Sequence, residues 1–138
     1  MKKLLLQFVG LIVRLFVKKA DVSFIDFSLL DWAVPSVPIV VTKQKLRQKA
    51  VGELLAAYVP YGDYIVVSAD VYARAKDGHL RDQSYLVHEL RHAYQARHGM
   101  FDKYTMPASF DAYMASAHEQ DAYAVQAKYL DDATAKYL

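Results

Sequence analysis

The chain predicts an α+β fold: a small antiparallel sheet or hairpin, a helix carrying His88 to His92 and a long C-terminal helix. Three stretches carry that prediction. Leu54 to Val59 and Tyr64 to Ser68 are β-capable runs flanking the turn-forming Pro60-Tyr61-Gly62-Asp63. His88-Glu89-Leu90-Arg91-His92 lies in a segment of helical pattern that stops at Gly99. Ala108 to about Lys136 is Ala-rich, with Phe110, Tyr113, Met114, Ala117, Ala124 and Val125 at helical spacing. With 138 residues there is material for one core, assigned to residues 21–138, preceded by a distinct segment over 1–20.

In that first segment Leu4 to Val17 is almost wholly apolar, broken by Gln7, Gly10 and Arg14 and flanked by Lys2, Lys3, Lys18 and Lys19. It is shorter than the ~20 residues a membrane span needs. Lys3, Gln7, Gly10, Arg14 and Lys18 fall on one narrow stripe of a helix, so an amphipathic helix is expected, docked on an inner membrane face or on a partner. A signal or anchor and a helix packed on its own domain are the alternatives. Pro35 and Pro38 impose an extended path and end any helix before Val34, after which Ile39-Val40-Val41-Thr42 has strand composition. Lys43 to Lys49 reads as a solvated helical turn or strand edge. A helix over Lys45 to Tyr58, interrupted by Gly52, competes with the first hairpin strand.

Beyond the hairpin, Val71 to Lys76 is a short helix or turn, ended by Asp77-Gly78. The metal helix is expected over about Ser84 to His98, capped by Asp82 or Ser84, with Tyr85, Leu86, Leu90 and Ala93 toward the core and Gly99 just past its end. Met100 to Met106 reads as a loop. Pro107 opens the last segment, one long helix or two joined near Asp131-Asp132.

Bulk properties exclude several classes. At 54% hydrophobic and 23% charged the chain is neither disordered nor low-complexity. A net charge of +2, with no basic run interleaved with aromatics beyond the N-terminus, argues against nucleic acid as a partner. Without cysteine there is no disulfide and no thiolate ligand, so a metal site must draw on His, Asp or Glu. A cytoplasmic location is expected, peripheral at the inner membrane face, with secretion or anchoring still open.

The pattern HExxH carries the chemistry. On a helix, His88 and His92 are one turn apart on one face and can bind a single Zn²⁺, while Glu89 can take a proton from water activated by the metal. Two histidines fall short of the three protein ligands usual in a catalytic zinc site. Asp111, His118, Glu119 and Asp121 are the downstream candidates; His98 is turned about 120° around the helix from His92 and is excluded. Tyr94, Tyr113 and Tyr123 are candidates to donate to an oxyanion.

HExxHxxQ followed by Ala117-His118-Glu119-Gln120-Asp121-Ala122 resembles the gluzincin type of zinc metallopeptidase, especially its small single-domain, zincin-like members with a following Glu-x-[Asp/Glu]-Ala. The resemblance covers about Leu54 to Leu130. It implies His88 and His92 as two ligands, Glu119 as the third with His118 as the alternative, Glu89 as the base, and Gln95 as the family glutamine, which shares the face of the histidines. Tyr123 stands where a subset of relatives carries Asp, which puts in question a carboxylate supporting a ligand histidine. The expected activity is zinc-dependent hydrolysis of a peptide or protein substrate. The competing reading is a non-catalytic, metal-stabilised binding module, membrane-associated through residues 1–19.

Overall fold

The hairpin around Pro60 to Asp63 forms, and a third strand joins it from the other side. The computed structural model describes residues 20–44, 46–48, 52–100 and 116–138. In chain order these hold β1 (Ile39–Thr42), β2 (Leu46–Gln48), β3 (Gly52–Leu54), β4 (Ala56–Val59), β5 (Tyr64–Ser68), α1 (Ala69–Lys76), α2 (Leu80–Arg97) and α3 (Ala117–Tyr137). A short 3-10 turn spans Phe27–Leu29. The expected α+β class is therefore present. The N-terminal amphipathic helix, the loop after Met100 and the start of the last segment, Tyr113 included, lie outside the described residues. No helix among the described residues is long and apolar enough to cross a membrane.

The sheet is mixed rather than antiparallel, which corrects the expectation. β4 pairs antiparallel with β5, Tyr58 opposite Ile65, but β1 pairs parallel with β5, Ile39 opposite Ile65 and Thr42 opposite Ser68, so the order is β1-β5-β4. A parallel pair needs a long crossover, and residues 43–63 supply it. β2 and β3 form a separate antiparallel ribbon there, Arg47 opposite Glu53. The helix that competed for Lys45 to Tyr58 does not form. Central β5 alternates as a strand buried on one face should: Ile65 and Val67 are fully buried, Tyr64, Val66 and Ser68 only partly.

The helix ends follow local chemistry. Ser68 caps α1, its Oγ accepting from Val71 N–H at 3.3 Å. α2 starts at Leu80, four residues earlier than expected, with His79 at the cap position. Neither Asp82 nor Ser84 caps it, because both are engaged inside the helix. Asp82 accepts two hydrogen bonds from Arg74 at 3.1 and 3.3 Å, and Ser84 Oγ donates to the Arg81 carbonyl. The C-terminus matches expectation: Gly99 has φ 65°, Met100 N–H returns to the Gln95 carbonyl at 2.9 Å and Gly99 N–H to Ala96 at 3.4 Å, a Schellman closure. α3 runs unbroken through Asp131-Asp132.

Leu86, Val87, Leu90 and Ala93 of α2 join Ile39, Ile65, Val67 and Val71 in one core, each large aliphatic contributing roughly 1.5–3 kcal/mol by burial. Tyr85 packs against that core while partly buried. α3 enters the core through Tyr129 and Ala133. The Tyr129 hydroxyl, on a side chain 1% exposed, donates to Gln83 Oε1 at 2.8 Å and accepts from Asp26 N–H at 3.2 Å. Gln83 in turn donates to the Ala75 carbonyl. One phenol thus ties the N-terminal segment, α1, α2 and α3.

Asp26 makes a second tie, accepting from Lys136 Nζ at 2.7 Å, Tyr137 OH, Ser28 Oγ and Ser28 N–H. The Lys136 ammonium foremost, then the Ser28 and Tyr137 hydroxyls, hold its carboxyl well below the ordinary 3.8. A depressed carboxyl stabilises the fold above the unfolded value and loses that effect as pH falls toward the folded one. Asp26→Asn is expected to melt below the wild type at pH 7, with the gap narrowing as pH drops under about 3.8; thermal melts followed by circular dichroism at pH 7, 5 and 3 measure it.

Candidate metal centre

α2 and α3 meet at three buried side chains. His88 and His92, one turn apart on α2, are 6% and 7% exposed, and Glu119 in the first turn of α3 is 1% exposed. Glu119 Oε1 lies 2.5 Å from His88 Nε2 and 3.0 Å from His92 Nε2, and the two Nε2 atoms are 3.1 Å apart. Three donor atoms on one point make a group that could hold a metal ion. A tetrahedral ion with bonds of about 2.0–2.1 Å separates its ligand atoms by roughly 3.3 Å, so an outward shift of less than an ångström along each edge of the triangle admits one. The position of Glu119 near a helix N-terminus also suits a negative charge.

The electrostatics favour a cation. Burial alone pushes His92 down, but its hydrogen bond to Glu119, the charges of Glu89 and Glu119, and Gln95 outweigh that and raise it to about 9. A proton on His92 and a metal ion are alternative answers to the same buried negative charge. Burial pushes Glu89 up, Glu119 adds to the rise, and His88, His92 and the Tyr58 backbone N–H oppose it. Among the described residues, two buried side-chain polar atoms have no hydrogen-bond partner: Glu89 Oε2 and His88 Nδ1. An unpaired buried polar atom costs about 1–3 kcal/mol, and Glu89 Oε2, which belongs to a cleft-lining side chain, points to a group the protein receives from outside.

The expected site residues among those described can now be placed; Tyr113 and Asp111 lie outside them. His88, His92, Glu119 and Glu89 converge. Gln95 is fully buried behind His92, its Oε1 2.8 Å from His92 Nδ1. Tyr123, one turn after Glu119, sets its ring edge-on to His88 with centroids 4.5 Å apart. No carboxylate supports His88 from that position. His118 is not one of the three converging donors; its ring stands edge-on to His92 at 5.7 Å and its carbonyl accepts from Gln95. Adjacent helical residues point about 100° apart, and Glu119 is the one aimed inward. Tyr94 lies elsewhere, stacked on His98 and against Trp32 and Arg91.

A cleft of about 180 Å³ opens on the centre, lined by Leu54, Leu55, Ala56, Tyr85, His88, Glu89, Tyr123 and Gln126. Sequence reasoning missed most of this lining. Tyr85 had a signal, since it precedes His88 and Glu89 by three and four residues on their face. Leu54 and Leu55 had none beyond their place at the start of the first predicted hairpin strand. Also missed was the structural partner of Arg91, whose guanidinium donates to Asp121 at 2.7 and 3.2 Å while packing on Trp32 and Tyr94.

No family model, curated protein or solved structure matches the chain. The resemblance to gluzincins therefore rests on the motif residues and the way they meet. Purified wild type is expected to carry about one divalent ion per chain by elemental mass spectrometry, with His92→Ala and Glu119→Ala nearly metal-free. Retention in Glu119→Ala together with loss in His118→Ala would move the third ligand to His118.

Proposed function

We propose that the protein is a zinc-dependent peptidase of gluzincin-like type. The observation that carries the reading is Glu89: a buried carboxylate with one unpartnered oxygen, beside a His-His-Glu donor set and facing a cleft. Two imidazoles and one carboxylate, with no thiolate in the chain, suit zinc with its fourth position open. When bound, zinc would supply Lewis acidity for a scissile carbonyl and bring the pKa of water toward neutrality.

The chain's own groups divide the remaining work. Glu89 Oε2 accepts the proton of the attacking water and returns it to the leaving amine, a role favoured by a carboxyl that burial holds above its ordinary value. The Tyr58 backbone N–H holds the same carboxylate in place. Tyr123, partly exposed in the cleft against His88, is suited to donate its hydroxyl to the developing oxyanion. Tyr64, Val66 and Ser68 of β5 face β4, as the Ser68 N–H to Leu55 bond shows, so the backbone groups of Ala56 and Tyr58 face away from β5 along the strand edge. An extended peptide laid there would pair with the backbone of Ala56 and the Tyr58 carbonyl, the Tyr58 N–H being taken by Glu89. Ligand pockets usually run from about 300 Å³ upward; at about 180 Å³ this cleft has room for a single side chain, and Leu54, Leu55 and Tyr85 make an apolar one the better fit.

A second reading treats the metal as a staple. Its donors come from both α2 and α3, so binding would lock the two helices together whether or not chemistry follows. The location expected of the chain, cytoplasmic and peripheral at the inner membrane face through residues 1–19, belongs to the proposal as well; co-sedimentation with anionic vesicles is expected, and its absence at low salt would remove the membrane.

Glu89→Gln is expected to keep the metal and to lower peptide hydrolysis by about 10²–10⁴-fold. Tyr123→Phe is expected to keep the metal and to lower kcat by about 10²-fold or more with little change in KM. Hydrolysis of a peptide library at the wild-type rate by Glu89→Gln would refute the base. Metal-dependent melting with no hydrolysis by wild type would favour the staple.

A further inference from the structure

We infer that Arg91, Asp121 and Gln95 form a positioning relay that decides which nitrogen of His92 faces the metal. The inference rests on the metal-binding part of the preceding reading and is independent of peptide hydrolysis.

The argument starts at Gln95, fully buried on α2. Its Nε2 is 2.7 Å from the His118 carbonyl and 2.7 Å from Asp121 Oδ2, and both of these only accept. Both amide hydrogens are therefore committed to α3. The opposite atom, Oε1, can only accept, and it lies 2.8 Å from His92 Nδ1. His92 Nδ1 must then carry a proton, which leaves the lone pair of the neutral ring on Nε2. That is the atom 3.0 Å from Glu119 Oε1 and 3.1 Å from His88 Nε2. The amide thus settles the tautomer, and the tautomer settles the ligand atom.

Gln95 could turn its amide over only by setting its oxygen against a carbonyl and a carboxylate. Asp121 supplies the charged half of that barrier. It is itself held by Arg91, whose Nε and Nη2 donate to its two oxygens at 2.7 and 3.2 Å. The guanidinium packs in turn against an aromatic corner, its carbon 5.1 Å from the Trp32 ring centre and 4.4 Å from that of Tyr94, two rings that meet edge-on. From Trp32 to His92 each group has one way to sit. His88 has no such support, since its Nδ1 is without a partner.

Asp121→Asn tests the relay because it keeps the shape and removes the charge. An amide at 121 can present its NH₂ to Gln95, which lets Gln95 turn over and point hydrogens at His92 Nδ1. The zinc dissociation constant, measured on the full chain by competition with a chelator, is expected to rise about 10–100-fold. Tyr129→Phe is the control for general loosening of the α2–α3 contact. It deletes a hydroxyl that binds Gln83 and Asp26 N–H, touches no member of the relay, and is expected to melt lower with zinc affinity near wild type. The ¹⁵N imidazole spectrum of the zinc-loaded wild type is expected to show His92 protonated at Nδ1 and not at Nε2. The relay is overturned by a protonated Nε2 on His92, by wild-type zinc affinity in Asp121→Asn, or by equal affinity losses in Asp121→Asn and Tyr129→Phe. Those three results leave the metal centre standing; wild type that takes up no zinc removes the centre and the relay together.

Discussion

A carboxylate with 1% of its surface exposed, set against two imidazoles, is the constraint on which the rest of this structure depends. Removing a charge from water costs several kcal/mol unless a partner of opposite sign or several hydrogen bonds replace the solvent. Glu119 faces that cost beside a second buried carboxylate, Glu89. Everything that fixes the crossing of α2 and α3 therefore bears on the site. Ala122 and Ala133 are fully buried on α3, which lets the helices approach closely. Tyr129 and Gln83 tie the far end of the crossing, and Asp121 and Arg91 tie the near end. Glu119 lies two residues before Asp121 in the first turn of α3 and has little freedom to leave the histidines.

The sheet reaches the same point by another route. Eleven side chains of α2 are buried, from Asp82 to Gln95, so the helix is covered around most of its circumference. Its aliphatic side packs on β1 and β5, and its polar side faces α3 and the edge of β4. The parallel β1–β5 pair is what makes β5 central, leaving β4 as the edge whose Tyr58 N–H meets Glu89. Were β4 the inner strand, that N–H would be spent on a neighbouring strand. Strand order is thereby connected to the position of a single carboxylate.

The parts of the fold readable from sequence were those set by local chemistry. The hairpin at Pro60 to Asp63, the closure at Gly99 and the His88–His92 spacing each follow from a few neighbouring residues. What escaped depends on distant partners. Ile39 to Thr42 has strand composition, but nothing in those residues names β5 as the partner or parallel as the direction. Asp82 and Ser84 are good capping residues, yet Arg74 claims one and the helix's own backbone the other, so α2 begins at Leu80. Eleven buried positions blur the amphipathic stripe that would have marked that start. At the site, HExxH was legible because both ends of the pattern sit on one helix. The Arg91–Asp121 pair spans two helices and was legible only as two separate charges.

The two histidines of the candidate centre are held unequally, and the inequality traces to one residue type. His92 has an acceptor behind it in Gln95, whereas at the position that would support His88 the chain places Tyr123, an aromatic ring 4.5 Å from the imidazole in place of a carboxylate. An aromatic edge offers packing but no strong acceptor, so His88 Nδ1 stays buried and unpaired. The fold tolerates that cost at the same place where it leaves Glu89 Oε2 unpaired. Stability alone would fill both with hydrogen bonds, since buried polar atoms elsewhere in the described core are satisfied. An unmet Glu89 Oε2 on a cleft-lining side chain is what a site looks like when it is completed by something other than the protein. The Tyr123 ring that offers His88 no acceptor also lines the cleft.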